Sequence, residues 1–239
     1  MKRRLKINGF ITFCAVVLIA FFPALFFRKA TRSFFDEIME VWGVAFILLG
    51  QIFRASGRGF KSEQSGKGSH LIHEGPYALV RNPMYLGILL IGLGIVLVLF
   101  NGWVASIFLA VFMVRYLLLI FKEEKNLMAL FPQDFPRYQQ QVPRLFPSLA
   151  VLSQKDVSEY LPLKLSWIKR EIGSILTVLC LTLLLESWED IKSEGVTVYL
   201  QEATGIFITI LLFVALAVYL SRKTGGSEKY VSNKGKTAL

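Results

Sequence analysis

The residues with the greatest potential for chemistry gather in one stretch, residues 69–87, with the sequence SHLIHEGPYALVRNPMYLG. Both histidines of the chain lie in it. Asn82 followed by Pro83 is typical of a helix start, because asparagine can cap the first turn and proline is tolerated at the first helical position. The free backbone amides of such a start favour an anion, and Arg81 beside them is suited to hold a carboxylate through two hydrogen bonds. The stretch is therefore either a binding site or an interfacial loop with a helix cap, an aromatic belt and a lipid-facing arginine.

A second candidate is the pair of adjacent acids, Glu123 and Glu124, at the end of an apolar run. Two acids are unfavourable at the negative end of a helix dipole. They either begin an interfacial helix or hold a cation or a sugar diol, and the sequence leaves both interpretations open.

The third candidate is Arg115, which lies inside the apolar run Trp103–Phe121. A charge within a membrane span usually has a function, so Arg115 is a candidate catalytic residue. The alternative is that its long side chain reaches back to the lipid headgroups.

The elements that must position these residues are membrane helices. Hydrophobic residues make up 54% of the chain, charged residues only 18%, and the mean hydropathy is +0.53. A spanning helix needs about 20 mostly apolar residues. We predict an all-α polytopic membrane helix bundle with about six transmembrane helices, the first of them retained rather than removed as a signal peptide. The apolar runs are Phe10–Phe27, Val41–Phe53, Met84–Phe100, Trp103–Phe121, Ile172–Ser187 and Gly205–Leu220.

The net charge of +10 indicates membrane topology rather than nucleic-acid binding, because the basic residues cluster between the apolar runs. If both termini are cytoplasmic, 22 Lys and Arg residues lie on that side and 4 on the other. The distribution predicts cytoplasmic termini and two long cytoplasmic segments, residues 54–83 and 122–170. Cys14 and Cys180 both lie in apolar runs, which indicates neither a disulfide framework nor a metal site.

Short signals predict the local structure around the candidate residues. Asn101-Gly102 indicates a tight turn, so the third and fourth runs form a hairpin. Gly87, Gly92 and Gly94 in the third run favour close helix packing.

The two long segments carry further patterns. Gly57, Gly59, Gly66 and Gly68, among polar residues, predict a flexible stretch after the second run. In residues 127–142 apolar and polar positions alternate, which predicts an amphipathic segment lying on the membrane, broken at Pro132 and Pro136.

Together these elements resemble the superfamily of isoprenylcysteine carboxyl methyltransferases and phospholipid methyltransferases. The family pattern runs G-P-Y-x-x-x-R-(H or N)-P-x-Y-x-G, then a helical hairpin, E-E and V-x-R-x-x-P, and it covers about residues 69–147. The residues that carry the resemblance are Leu71, Gly75-Pro76-Tyr77, Arg81-Asn82-Pro83-Met84-Tyr85, Gly87, Glu123-Glu124, Phe131, Tyr138, Val142, Arg144 and Pro147.

The resemblance implies S-adenosyl-L-methionine as the cofactor, bound in a cytoplasmic pocket under a lid formed by the tail of the pattern. Arg81 and Glu124 are then polar neighbours of the cofactor and, with Arg115, the candidate catalytic residues. The implied cofactor-binding residues are Ser69, His70, Leu71, Ile72, Tyr77, Asn82, Pro83, Met84, Tyr85 and Glu123.

The resemblance also divides the chain into three parts. Residues 1–54 hold transmembrane helices 1 and 2, and residues 55–150 hold the methyltransferase core with its hairpin and cytoplasmic flanks. Residues 151–239 hold transmembrane helices 5 and 6 and a basic tail.

Two positions depart from the prenylcysteine enzymes. Asn82 stands where those enzymes usually have histidine, and Leu119 where they carry an arginine toward the substrate carboxylate. Arg115, one turn earlier, is a candidate replacement. We expect a lipid-like or lipidated acceptor that enters from the bilayer, with carboxylate O-methylation favoured over amine N-methylation. An amine acceptor would need a base, for which Glu124 is the candidate.

Two other kinds of function remain alternatives. One is an NADPH-dependent membrane enzyme similar to the sterol reductases, and the other is a small non-enzymatic membrane transporter.

Overall fold

The structure, a computed structural model, describes residues 17, 21–27, 34–64, 70–147, 157–193 and 196–237. Within these ranges the chain forms α-helices and no β-strand, apart from one isolated bridge between Phe27 and Phe100. The all-α prediction is confirmed. The helices are α1 (Pro23–Phe26), α2 (Phe34–Gln64), α3 (Pro76–Leu79), α4 (Pro83–Leu99), α5 (Gly102–Leu130), α6 (Asp134–Gln141), α7 (Val157–Tyr160), α8 (Leu165–Ser193) and α9 (Val196–Thr237).

Three of the described helices are long and apolar enough to cross a bilayer, which makes this an integral membrane protein. They are α2, α5 and residues Thr204–Thr224 of α9. Helix α4 is also apolar but shorter, at 17 residues. The first predicted span lies mostly outside the described residues, and the fifth lies within α8. The number of six spans therefore stays a prediction.

Helices α2 and α4 approach each other closely at glycine. A Cβ atom built on Gly50 would lie 2.6 Å from the carbonyl oxygen of Gly87, and one built on Gly43 would lie 2.8 Å from that of Gly94. Small residues allow such backbone approach between membrane helices. The prediction that Gly87 and Gly94 serve helix packing is confirmed.

Helices α4 and α5 form the predicted hairpin. Only Phe100 and Asn101 separate them, and the Asn101 side chain donates hydrogen bonds to the carbonyl oxygens of Leu25 (3.1 Å) and Phe27 (2.9 Å). The turn is therefore anchored to the chain around α1.

The prediction of flexibility after the second span is wrong for Gly57 and Gly59, and its other two glycines, Gly66 and Gly68, lie outside the described residues. Helix α2 runs unbroken through Gly57 and Gly59 to Gln64, well beyond both ends of the predicted span Val41–Phe53. These glycines serve packing instead. Gly57 lies against Pro83 and Met84 of α4, and Gly59 lies against the indole ring of Trp167 on α8.

The prediction for residues 127–142 is confirmed for the break at Pro132 and wrong for the break at Pro136. It is also wrong in placing the apolar side chains Phe135, Tyr138 and Val142 on the membrane. Pro132 separates α5 from α6, whereas Pro136 lies in the first turn of α6, where proline is tolerated. Leu130 is 70% exposed, but other apolar side chains of this segment pack inside the protein. Phe135, Tyr138 and Val142 are only 1%, 7% and 9% exposed and pack with Leu71, Leu127 and Phe131.

The C-terminal helices are attached to α2 by a buried ion-pair cluster. Glu171 of α8 is 5% exposed, and its two carboxylate oxygens pair with Arg54 (3.1 Å) and Arg58 (2.8 Å). The hydroxyl of Thr224 on α9 accepts a hydrogen bond from the Leu163 amide (3.1 Å). A buried carboxylate needs such partners, so this cluster fixes the position of α8 on α2.

Candidate functional site

The candidate site begins at the Gly-Pro-Tyr turn, which is docked on the end of α2. Gly75 has φ +57°, a left-handed conformation that favours glycine, and its position faces the ring of Phe60. The Tyr77 hydroxyl donates to the carbonyl oxygen of Gly57 (3.4 Å), and the Tyr138 hydroxyl donates to the carbonyl oxygen of Tyr77 (2.7 Å). Burial raises the pKa of both tyrosines, so both hydroxyls stay protonated at neutral pH.

The predicted helix start is confirmed, but the predicted side-chain cap is not. Pro83 is the first residue of α4, and the carbonyl oxygen of Asn82 accepts hydrogen bonds from the amides of Tyr85 and Leu86 (3.1 Å each). The Asn82 side chain instead donates to the carbonyl oxygen of Arg144 (3.0 Å). It thereby joins the start of α4 to residues 131–147, which we call the covering segment.

The two adjacent acids point to different surroundings. Glu124 is enclosed by two arginines: Arg81 Nη1 lies 3.1 Å from Oε1, and Arg144 Nε and Nη2 lie 3.1 Å and 2.9 Å from Oε1 and Oε2. The Arg144 pair is bidentate, and its guanidinium also lies over the ring of Phe121 (4.6 Å). Glu124 therefore holds together α5, the covering segment and the residue just before Asn82.

Glu123, by contrast, is half-buried and lines a cavity. Its Oε1 accepts a hydrogen bond from the Tyr85 hydroxyl (2.8 Å), which joins the second helix of the hairpin to the first turn of α4.

Arg81 retains unused hydrogen-bonding capacity. Its side chain is 9% exposed, and neither Nε nor Nη1 has a hydrogen-bond partner of good geometry among the described residues, although Nη1 lies within ion-pair distance of Glu124. Burial lowers its pKa, and Glu124 acts in the opposite direction. An arginine stays protonated in proteins, so the site carries a buried cation with N–H groups to offer.

A cavity of about 80 Å³ lies between these groups, at one mouth of the α4–α5 hairpin. Most of the predicted site residues line it. They are Tyr77, Arg81, Asn82, Pro83, Met84, Tyr85, Glu123 and Glu124.

The structure places the other predicted residues elsewhere. Leu71 packs against the covering segment, while His70 is exposed and Ile72 is half-buried, and none of these lines the cavity. Ser69 lies outside the described residues. Arg115 is two helical turns before Glu123 on α5, about 12 Å along the axis, and does not line the cavity either.

Four lining residues were missed as site residues by the sequence analysis: Lys61, Leu127, Phe135 and Tyr138. Three of them lie in or beside the segment interpreted as membrane-bound, where burial was not expected. Lys61 lies one helical turn after Gly57 and therefore on the same face of α2. This position indicates a site residue only if α2 is known to continue as a helix as far as Lys61.

Fold and site together define a class: an integral membrane protein with a polar, charged cavity at the mouth of a helical hairpin. Residues 30–134 match the family model described as phospholipid methyltransferase. The family of this model is part of the superfamily of isoprenylcysteine carboxyl methyltransferases and phospholipid methyltransferases, and the match supports the resemblance over residues 30–134. The match includes Arg81 and both glutamates but ends before most of the covering segment and before α7–α9. No curated protein and no solved structure matches the chain.

Proposed function

We propose that this protein transfers a methyl group from S-adenosyl-L-methionine to a lipid-like acceptor at the cytoplasmic side of a membrane. The observation that carries the proposal is the convergence of buried Arg81 and half-buried Glu123 on one cavity lined by tyrosines.

The donors and acceptors of the cavity suit the cofactor. Its carboxylate matches the Arg81 N–H groups that lack a hydrogen-bond partner, and its amine or ribose hydroxyls match the Glu123 carboxylate. Tyr77 and Tyr85 provide ring surfaces for a flat base.

Ligand sites commonly enclose about 300–1,000 Å³, which is larger than this cavity of about 80 Å³. Binding therefore requires the cavity to enlarge, and the covering segment is the wall that we propose to move. Four contacts hold it in place: Arg144 on Glu124, Asn82 on the Arg144 carbonyl, the Arg81 amide on the Pro143 carbonyl (2.9 Å), and Tyr138 on Tyr77. We propose that it acts as the lid of the cofactor pocket.

When bound, the cofactor supplies an electrophilic methyl group, and the task of the protein is to align the acceptor and exclude water.

The side chains favour a carboxylate acceptor. Both oxygens of Glu124 already contact arginines, so this residue is not available as the base that an amine would require. Lys61 lies at the cavity wall outside the Arg81–Glu124 pair and can pair with an anionic acceptor.

We further propose that both termini are cytoplasmic and that the chain has about six spans. The support is the distribution of Lys and Arg, 22 against 4, together with the long apolar helices. In this orientation Lys61, Arg81 and Glu123 all lie at the cytoplasmic face.

The cofactor assignment predicts binding that depends on Glu123. In detergent, S-adenosyl-L-methionine should raise the midpoint of thermal unfolding of the full chain, whereas NADPH should not, because only a ligand that prefers the folded state stabilises it. Glu123→Gln should weaken binding about 10- to 100-fold, the effect of losing a charge-assisted hydrogen bond. Lys122→Gln, a neighbouring exposed residue that does not line the cavity, should bind as the wild type does.

Other ligand responses would contradict the assignment. Stabilisation by NADPH alone would favour the reductase, and a folded protein that responds to neither ligand would favour the transporter.

The acceptor assignment predicts the chemical stability of the product. With membranes as the source of acceptor and a labelled methyl donor, the label in the lipid fraction should be released as volatile methanol by mild alkali, since a methyl ester hydrolyses and an N-methyl amine does not. Label that survives alkali would exclude a methyl ester and so reject the carboxylate proposal while leaving cofactor binding intact.

A further inference from the structure

A second cleft lies beside the end of α2, on a different face of that helix from the cavity. It has a volume of about 310 Å³ and lies between α2 and α8. Its polar walls include Arg58, Ser62, Arg170 and Glu171, and the methyltransferase family match does not extend to α8.

The cleft has one firm wall. Gly59 allows the indole of Trp167 to pack directly on α2, where the ring is 3% exposed. The indole N–H donates to Glu63 Oε1 (2.7 Å), and Lys164 Nζ lies 2.6 Å from Glu63 Oε2. The Trp167 ring and the Glu63 carboxylate are thus both fixed by contacts within the fold, and the wall that they form has a defined position.

The charge around the cleft is positive. Four basic side chains face two acidic ones here, namely Arg54, Arg58, Lys164 and Arg170 against Glu63 and Glu171. Both acids are already paired. Arg58 remains 65% exposed although one of its nitrogens pairs with Glu171, and Arg170 is exposed. The charge left over by the ion pairs is therefore positive and accessible.

We propose that this cleft binds the phosphate group of an anionic phospholipid. Arginine suits phosphate because its planar fork of donors matches phosphate oxygens. Basic residues at the end of an apolar helix are typical of the membrane interface, where anionic headgroups are found. The inference depends on the chain spanning a membrane and not on methyl transfer. A lipid held here would bind the end of α2, whose Lys61 lines the other cavity.

The test compares two adjacent basic residues of α8 in the full chain. Wild type, Arg170→Gln and Lys169→Gln are reconstituted in nanodiscs of phosphatidylcholine with increasing phosphatidylglycerol, and the midpoint of thermal unfolding is measured. Lys169 is exposed and does not line the cleft, so its variant removes the same charge from the same surface. Both positions are exposed, and both variants should fold.

We expect phosphatidylglycerol to raise the unfolding midpoint of the wild type. The phosphatidylglycerol content that gives half of this rise should be about tenfold higher for Arg170→Gln and should differ by about twofold or less for Lys169→Gln. The reason is that a specific contact contributes more than the general attraction of one surface charge. Equal responses of the two variants would overturn the site. A wild type stabilised by inorganic phosphate in pure phosphatidylcholine, but not by phosphatidylglycerol, would overturn the lipid as the source of the phosphate.

Discussion

Glu124→Gln is expected to destabilise the folded protein by about 3–5 kcal/mol, because it leaves the buried guanidinium of Arg81 without its negative partner. Arg81 and Glu124 have side chains that are each 9% exposed, so water cannot replace the lost charge. The bidentate, charge-assisted contact from Arg144 is reduced in the same step to a single hydrogen bond to a neutral oxygen, which weakens the hold of α5 on the covering segment. The measurement is the midpoint of chemical unfolding in detergent, with the intrinsic tryptophan fluorescence as the signal.

The matched control is Glu123→Gln, the same isosteric change at the adjacent residue. Glu123 is half-buried and a glutamine at this position can still accept the Tyr85 hydrogen bond, so we expect a loss of less than about 1 kcal/mol. Glu123→Gln should fold but bind the cofactor poorly, and Glu124→Gln should fail at folding first. A stable Glu124→Gln protein that has lost only methyl transfer to amines would instead restore Glu124 as a general base.

The sequence predicts the α4–α5 hairpin and the start of α4 well because both depend on local signals. A turn pair at Asn101-Gly102 and a proline at the first helical position act within a few residues, and the structure confirms both. Apolar run length is also a local property, but it does not show where a helix continues into polar sequence. For that reason the end of α2 was predicted as flexible when it is helical.

A signal for the continuation of α2 was present. Gly43, Gly50 and Gly57 recur every seven residues, as do Gly87 and Gly94 on α4. A seven-residue repeat keeps one helix face toward a neighbour over several turns, so the pattern predicts one long helix pair rather than a helix followed by a loop. In the structure these glycines lie along the α2–α4 contact.

The division of roles between the two glutamates could not be predicted from their neighbours in sequence. It depends on Arg144, which returns to Glu124 only because the chain reverses at Pro132 and buries Phe135 and Tyr138. The side chains of adjacent helix residues point about 100° apart. The rotation of α5 relative to the covering segment therefore decides which of the two glutamates faces the arginines. The role of Lys61 depends in the same way on the distant contact of α2 with Tyr77.

Gly50→Leu should destabilise the protein by about 3 kcal/mol and also abolish cofactor binding, because the two helices cannot separate at this point without moving the site. The first added carbon would lie 2.6 Å from the Gly87 carbonyl oxygen and 2.9 Å from the Ile91 backbone nitrogen. Backbone atoms have no alternative rotamer that would relieve these contacts, so α4 must shift as a whole. Pro83 and Met84, which line the cavity and pack on Gly57, move with it.

The control for this effect is Gly173→Leu on α8, where a Cβ meets no described atom within 4 Å. There the change should be neutral or stabilise the helix by up to about 1 kcal/mol, since leucine forms helix better than glycine. Unfolding midpoint and S-adenosyl-L-methionine affinity are measured on both variants. If Gly50→Leu lost stability but kept wild-type affinity, the glycine contact would serve the bundle alone, and the position of the cavity would have to depend on the Tyr77, Asn82 and Tyr138 hydrogen bonds instead.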